Sequence, residues 1–139
     1  LIFVMVLSGA LVAGTRAGYA YNTFPLMDGH WVPPGAYAAL PWWDNVFHDL
    51  TTVQFNHRTL AWVLFFLIPA FWWSTRTVDL PATVRRPLNL MLAMLGVQIV
   101  LGISTLLMHV PVALGAAHQG GALVLFALAL WSAHGLRRA

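Results

Sequence analysis

The sequence predicts an all-α membrane protein built as a four-transmembrane-helix, up-and-down bundle. Composition is the first ground. Of 139 residues, 60% are hydrophobic and only 8% are charged, where a soluble domain carries about 25% charged residues. Patterning is the second, because the few polar residues cluster and leave apolar runs of membrane-spanning length between them. The third is the placing of the cations. Arg76, Arg85, Arg86, Arg137 and Arg138 all fall on one side of such a bundle, which the positive-inside rule assigns to the cytoplasm or matrix.

The same composition excludes several classes of function. All seven basic residues are arginine, and they flank apolar segments, so membrane lipid and not nucleic acid is the expected partner. There is no cysteine, which removes disulfides, thiolate metal sites and iron–sulfur clusters. The chain opens at Leu1 within an apolar run, with no initiator Met and no basic region of a signal peptide. The expectation is a piece of a longer membrane protein, read as one four-helix half-domain over residues 1–139.

The first helix is expected over about residues 1–20. Gly14 and Gly18 have the four-residue spacing of close helix contact. Arg16, near its end, either snorkels to the interface or pairs with a buried anion. Residues 21–50 change character, with Pro25, Pro33, Pro34 and Pro41 among Trp31, Trp42, Trp43 and Phe47. This reads as an ordered outer loop with a short surface helix around Trp42–Leu50. His30 and His48 belong to it and are expected to be solvated. A second helix is expected over 51–74, kinked at Pro69, followed by a connector from Thr75 to Pro87. The third, over 88–108, reaches ~31 Å at ~1.5 Å per residue, one hydrocarbon thickness. Within it Gln98 can hydrogen-bond a neighbouring helix. His109, Val110 and Pro111 form a short turn, and the fourth helix covers 112–134.

His57 and His118 each lie about six residues into helices that run inward from the outer side, at ~9 Å depth. Histidines at matched depth on facing helices are how cofactor sites in bundles are built. Three and four residues from His118 stand Leu114, Gly115, Gly121 and Ala122, which suggests a flat groove suited to a planar macrocycle. Neutral imidazole is a good iron ligand, so a haem held by His57 and His118 is the expectation. The plainer reading is that each histidine only hydrogen-bonds across helices. A closed zinc site lacks ligands, since Cys and Glu are both absent. Arg16 and Arg58, on the outer side, are candidates to pair with haem propionates, with snorkelling as the alternative. His109, on the outer turn, is placed to touch a haem edge.

Gly9-Ala-Leu-Val-Ala-Gly14-Thr-Arg16-Ala-Gly18-Tyr-Ala-Tyr-Asn22-Thr-Phe-Pro25-Leu-Met-Asp-Gly29 resembles the fifth helix and following loop of the haem A synthase family. Gln54-Phe-Asn-His57-Arg58, Leu101-Gly-Ile-Ser-Thr-Leu-Leu-Met-His109-Val-Pro and His118-Gln119 resemble its sixth to eighth helices. The resemblance covers essentially the whole chain. It is closer to the proteobacterial and mitochondrial branch than to the branch with a cysteine pair in an outer loop. It implies a pseudo-symmetric eight-helix oxidoreductase of two similar halves, of which this chain is the C-terminal one. That enzyme oxidises a porphyrin methyl of haem O to the formyl of haem A, supplying the cofactor of cytochrome oxidase. The first half holds the substrate haem, and its motif has a glutamate three residues before the histidine. Here that position is Gln54, and an amide cannot take a proton as a carboxylate base does. The resemblance therefore implies that this half binds haem b through His57 and His118, carries no catalytic residue of its own, and is inactive alone.

The partners so implied are the N-terminal four-helix half, an electron donor, and, as a further candidate, a second copy of the protein. The location implied is the bacterial inner membrane, or the mitochondrial inner membrane in a eukaryote. A stand-alone membrane b-type cytochrome for electron transfer is the alternative from another class.

Overall fold

An apolar run in a bilayer must satisfy its own backbone hydrogen bonds, and a helix does so within one segment. The computed structural model describes residues 1–138 and has five α-helices: α1 (Ile2–Thr15), α2 (Trp42–Phe47), α3 (Leu50–Ser74), α4 (Ala82–Leu107) and α5 (Val112–Leu136). Two of these, α4 and α5, are long and apolar enough to cross a membrane. α1 is apolar but only 14 residues long. α3 is as long as α5, but its outer half holds Gln54, His57 and Arg58 and its inner end two tryptophans.

The boundaries depart from the sequence reading in two places. α1 stops at Thr15 instead of running to residue 20, because Arg16 turns left-handed at φ 60° and closes on Ala13 O at 3.3 Å. That position is usually given to Gly or Asn, so nothing in the sequence marked it. A 3-10 turn over Ala17–Tyr19 follows. At the other end of the bundle α4 begins at Ala82, six residues earlier than expected. The connector therefore shrinks to a short turn clamped by Arg85, whose Nη1 donates to Thr75 Oγ1 at 3.1 Å. Its Nη2 donates to Thr75 O at 2.8 Å and Val78 O at 2.9 Å. Pro87 lies inside the helix, where it has no N–H to give to the preceding turn. α3 starts where a cap permits it, with Asp49 Oδ2 accepting from the Thr52 N–H at 2.7 Å.

The long helices pack antiparallel, with α4 and α5 the most extensive pair. The start of α4 meets the end of α5, where a Cβ on Gly135 would stand 3.1 Å from Val84 Cγ2. The end of α1 meets the end of α4, through Asn22 Nδ2 donating to Leu106 O at 3.0 Å. Gly18 there lies under Val110, while Gly14 has no close neighbour and makes no tight helix contact. The apolar core occupies the inner half: Leu64, Ile68, Val84, Leu88, Met91, Leu95 and Leu125.

Above it sits the outer loop, ordered by polar bonds. Asn45 is 1% exposed, accepts from Ala39 N and donates to Ala39 O and Trp42 O, all at 2.8 Å. Thr52 Oγ1 accepts from Tyr37 N at 2.9 Å, and the Tyr37 hydroxyl donates to Asn56 Oδ1. These contacts pin the loop to the first turns of α3.

Candidate functional site

α3 and α5 both start at the outer end. His57 is the eighth residue of α3 and His118 the seventh of α5, which sets them ~10.5 and ~9 Å down their helices. The expected match in depth along the two helices is present.

Each ring is seated by a different neighbouring helix. His57 lies against α1, with Nδ1 3.1 Å from Ser8 Oγ and Cε1 3.4 Å from where a Cβ on Gly9 would stand. His118 lies against α4, with Cε1 3.0 Å from the corresponding point on Gly102. Its Nδ1 is 3.2 Å from the Gln98 amide, which also reaches His118 O at 3.0 Å and Ala122 N at 3.3 Å. Both imidazoles thus use Nδ1 in a polar contact, the arrangement in which a second group orients a metal-ligating histidine and leaves Nε2 to the metal.

Glycines matter here, but not the ones expected. Gly121 leaves no open groove beside His118. It is the space into which Gln98 and Met94 pack, and a Cβ there would stand 2.8 Å from Met94 Cε. Gly115 has no close neighbour. The glycines that touch the rings are Gly9 and Gly102, on the helices opposite. Two cavities among the described residues lie elsewhere, lined by neither His57 nor His118. One of about 280 Å³ lies along the outer face of α3 between Trp31, Arg58, Trp62 and Phe66. One of about 250 Å³ lies at the inner end between Val84, Trp131, His134 and Arg138.

The other candidates are spread around this centre. Arg58 is committed to the outer loop, its Nη1 donating to Thr23 O and its Nη2 to Tyr21 O, both at 2.8 Å. Arg16 is exposed at the left-handed end of α1, and His109 is exposed at φ 60° in the α4–α5 turn. His48 pairs with Asp44 at 2.7 Å on the surface, and His30 is exposed beside a short bridge to Met27. Gln54 is 2% exposed and donates through Nε2 to Tyr21 O at 2.9 Å and Gly18 O at 3.4 Å. It ties the loop to α3 and is bound through its donor end. Its Oε1 has no hydrogen-bond partner among the described residues.

The donor set narrows what the centre can hold. No group of three or more His, Cys, Asp or Glu side chains converges among the described residues, so a bare metal ion would be left short of ligands. Two imidazoles suit an iron already held by four ring nitrogens. The residues present fit a haem on that ground.

Residues 1–130 match the family model for COX15-CtaA, described as cytochrome oxidase assembly protein. The chain belongs to the COX15-CtaA family. A relative named "Heme A synthase" from Nitrosospira multiformis is 59% identical over 138 residues, covering 99% of this chain and 39% of the relative. "Heme A synthase COX15" of Arabidopsis thaliana is 44% identical over 138 residues, 99% of this chain and 30% of that protein. Its namesake from Homo sapiens is 43% identical over 138 residues, 99% of this chain and 34% of that protein. The chain thus spans between 30% and 39% of the length of these relatives. No solved structure matches it.

Within this COX15-CtaA chain, sequence reasoning found His57, His118 and Gln98 but not Ser8, Gly9 or Gly102. A serine in the middle of an otherwise apolar α1 was the available signal, since such a hydroxyl in a bilayer seeks a partner on another helix.

Proposed function

We propose that this chain is the C-terminal, haem b-binding half of a haem A synthase, with His57 and His118 as the two axial ligands of the iron. The observation that carries the proposal is the paired arrangement of the imidazoles. They stand at matched depth on two helices that start at the same end, and each has its Nδ1 in a polar contact with a neighbouring helix.

The bundle that holds them is read as four membrane spans, α1, α3, α4 and α5, forming one half of a pseudo-symmetric eight-helix protein. Its antiparallel packing and the five arginines at its inner end support that topology. The protein is then a multi-pass component of the bacterial inner membrane, or of the mitochondrial inner membrane in a eukaryote.

Haem bound at this centre would supply a one-electron ferric/ferrous couple. The part of the chain would be to hold that haem's iron through the neutral imidazoles of His57 and His118. Ser8 and Gln98 orient the two rings, and Gly9 and Gly102 let them lie close to α1 and α4. The outer-side cations Arg16 and Arg58, with His109 at the turn, are the groups proposed to meet the propionates and the haem edge.

Gln54 supports the division of labour between the halves. It stands where the substrate-binding half of the family carries a glutamate, and its amide is spent on Tyr21 O. The oxidation of the haem O methyl to the formyl of haem A is accordingly proposed for the full-length protein, together with its N-terminal half and an electron donor, and not for residues 1–139 alone. A stand-alone b-type cytochrome would need the same two ligands. The 99% coverage of this chain by proteins more than twice its length favours the first reading.

The test is a reduced-minus-oxidised difference spectrum of the purified protein supplied with haem. The sharp α-band of a six-coordinate b-type haem is expected, and no haem bands at all would overturn the proposal.

A further inference from the structure

The two imidazoles are alike in chemistry but are held by groups that respond differently to iron. We infer that Gln98 is a positioning residue that makes His118 the weaker, more readily displaced of the two iron ligands. The inference rests on the haem reading above and adds an asymmetry to it.

His57 is held by a rotor. A hydroxyl both donates and accepts, so Ser8 Oγ, 3.1 Å from Nδ1, serves either tautomer of the ring. When iron takes Nε2, the single proton of the neutral ring resides on Nδ1. The hydroxyl then has only to turn and accept it.

His118 is held by an amide that is already spoken for. With its amide assigned to suit the groups α5 presents, Gln98 sets Nε2 3.0 Å from His118 O and 3.2 Å from Nδ1, and Oε1 3.3 Å from Ala122 N. In that arrangement Nδ1 is an acceptor and the ring proton sits on Nε2, the nitrogen that iron needs bare. Ligation moves that proton to Nδ1 of the same ring, with no net gain or loss, and sets donor against donor. Turning the amide end for end would offer Nδ1–H an oxygen. It would also face that oxygen toward the His118 carbonyl and the NH₂ toward the Ala122 N–H. Either way a mismatch is left at a side chain only 7% exposed, where unpaired polar groups are costly.

Nor can the amide easily withdraw. It lies in the space that Gly121 leaves open, with Met94 Cε closing the same pocket. His57 meets no such conflict, so the two ligands are unequal before any exogenous group arrives.

The test uses the protein in lipid nanodiscs. In the haem-free state, side-chain ¹⁵N shifts are expected to show His118 in the Nε2–H tautomer, and a mixture of tautomers in Q98M. An Nδ1–H tautomer in the wild type would overturn the inference, and this readout needs no haem. In the reduced, haem-loaded state, carbon monoxide is expected to displace His118. Q98E offers Nδ1–H an oxygen and, when protonated, can still donate to the His118 carbonyl. It is expected to bind carbon monoxide about tenfold or more weakly than wild type, the scale of effect that outer partners have on metal sites. S8A is expected to change that affinity less. Q98M, which releases the ring, is expected to shift the largest g value of the ferric low-spin signal.

Equal carbon monoxide affinity and an unchanged ferric signal in both Gln98 variants, or a larger effect from S8A, would overturn the assignment. A wild-type protein that takes up no haem would sink the ligand reading and this inference with it. The tautomer result would then report separately on the Gln98 contact itself.

Discussion

The inner and outer halves of the bundle are built on different principles. Inside, Leu64, Ile68, Val84, Leu88, Met91, Leu95 and Leu125 pack into one apolar cluster, with Ser132 satisfied by its own helix at Leu128 O. Outside, the helix contacts run through Gln54, His57, Gln98 and His118 and through the carbonyls of Tyr21, Thr23 and Leu106. Lipid tails are as apolar as leucine, so the inner cluster gains mainly from close packing. The outer half gains from hydrogen bonds that would otherwise go unmade, and each of its polar groups carries a penalty if its partner is lost. The inner half holds the frame. The polar half is the expensive one, and His57 and His118 sit there.

Substitutions that strike one half should separate the two. The largest effect on stability is expected for Leu88→Ala, since Leu88 is fully buried in the inner cluster. A loss of about 2–5 kcal/mol, read as unfolding in mixed micelles, should leave the haem spectrum of the folded fraction unchanged. A changed spectrum would show that the halves are not separable. Next in size is Gly121→Val, which forces Met94 and the Gln98 amide out of their pocket. It should cost about 1–3 kcal/mol and, unlike Leu88→Ala, also alter the haem signal. Smaller is Gln54→Leu, which removes one of the two α3 hydrogen bonds to Tyr21 O and leaves that of Arg58; it should cost about 1 kcal/mol. Faster proteolysis within residues 21–49 would report it, and an unchanged cleavage rate would place the loop's hold elsewhere. Smallest is Arg85→Met, which frees the inner turn at Thr75 and Val78. A drop in thermal midpoint with an unaltered haem spectrum is expected.

The inner half was the more legible from the sequence. Apolar runs of spanning length need only self-satisfied backbone, and the positions of α3 and α5 came out within a residue or two. The exceptions were set by local conformations with no strong sequence mark. Arg16 takes a left-handed turn normally left to glycine, and Pro87 sits within α4, although Arg85, Arg86 and Pro87 read like a loop.

In the outer half the pairing of His57 with His118 was legible because a histidine in a membrane helix demands a reason, and two at one depth share it. What escaped was how they are held. Spacing along α5 puts Gly121 on the face of His118, but spacing does not say which neighbour fills the room a glycine leaves. Gln98 fills it. The glycines that do meet the rings, Gly9 and Gly102, lie on other helices, where only the packing of the bundle could reveal them.

The most direct measurement of the central claim is the optical and EPR spectrum of His57→Ala and His118→Ala, each compared with wild type. The account predicts that wild type holds six-coordinate, low-spin haem and that either single variant loses that state, turning high-spin or losing haem altogether. An unaltered low-spin spectrum in both variants would contradict it.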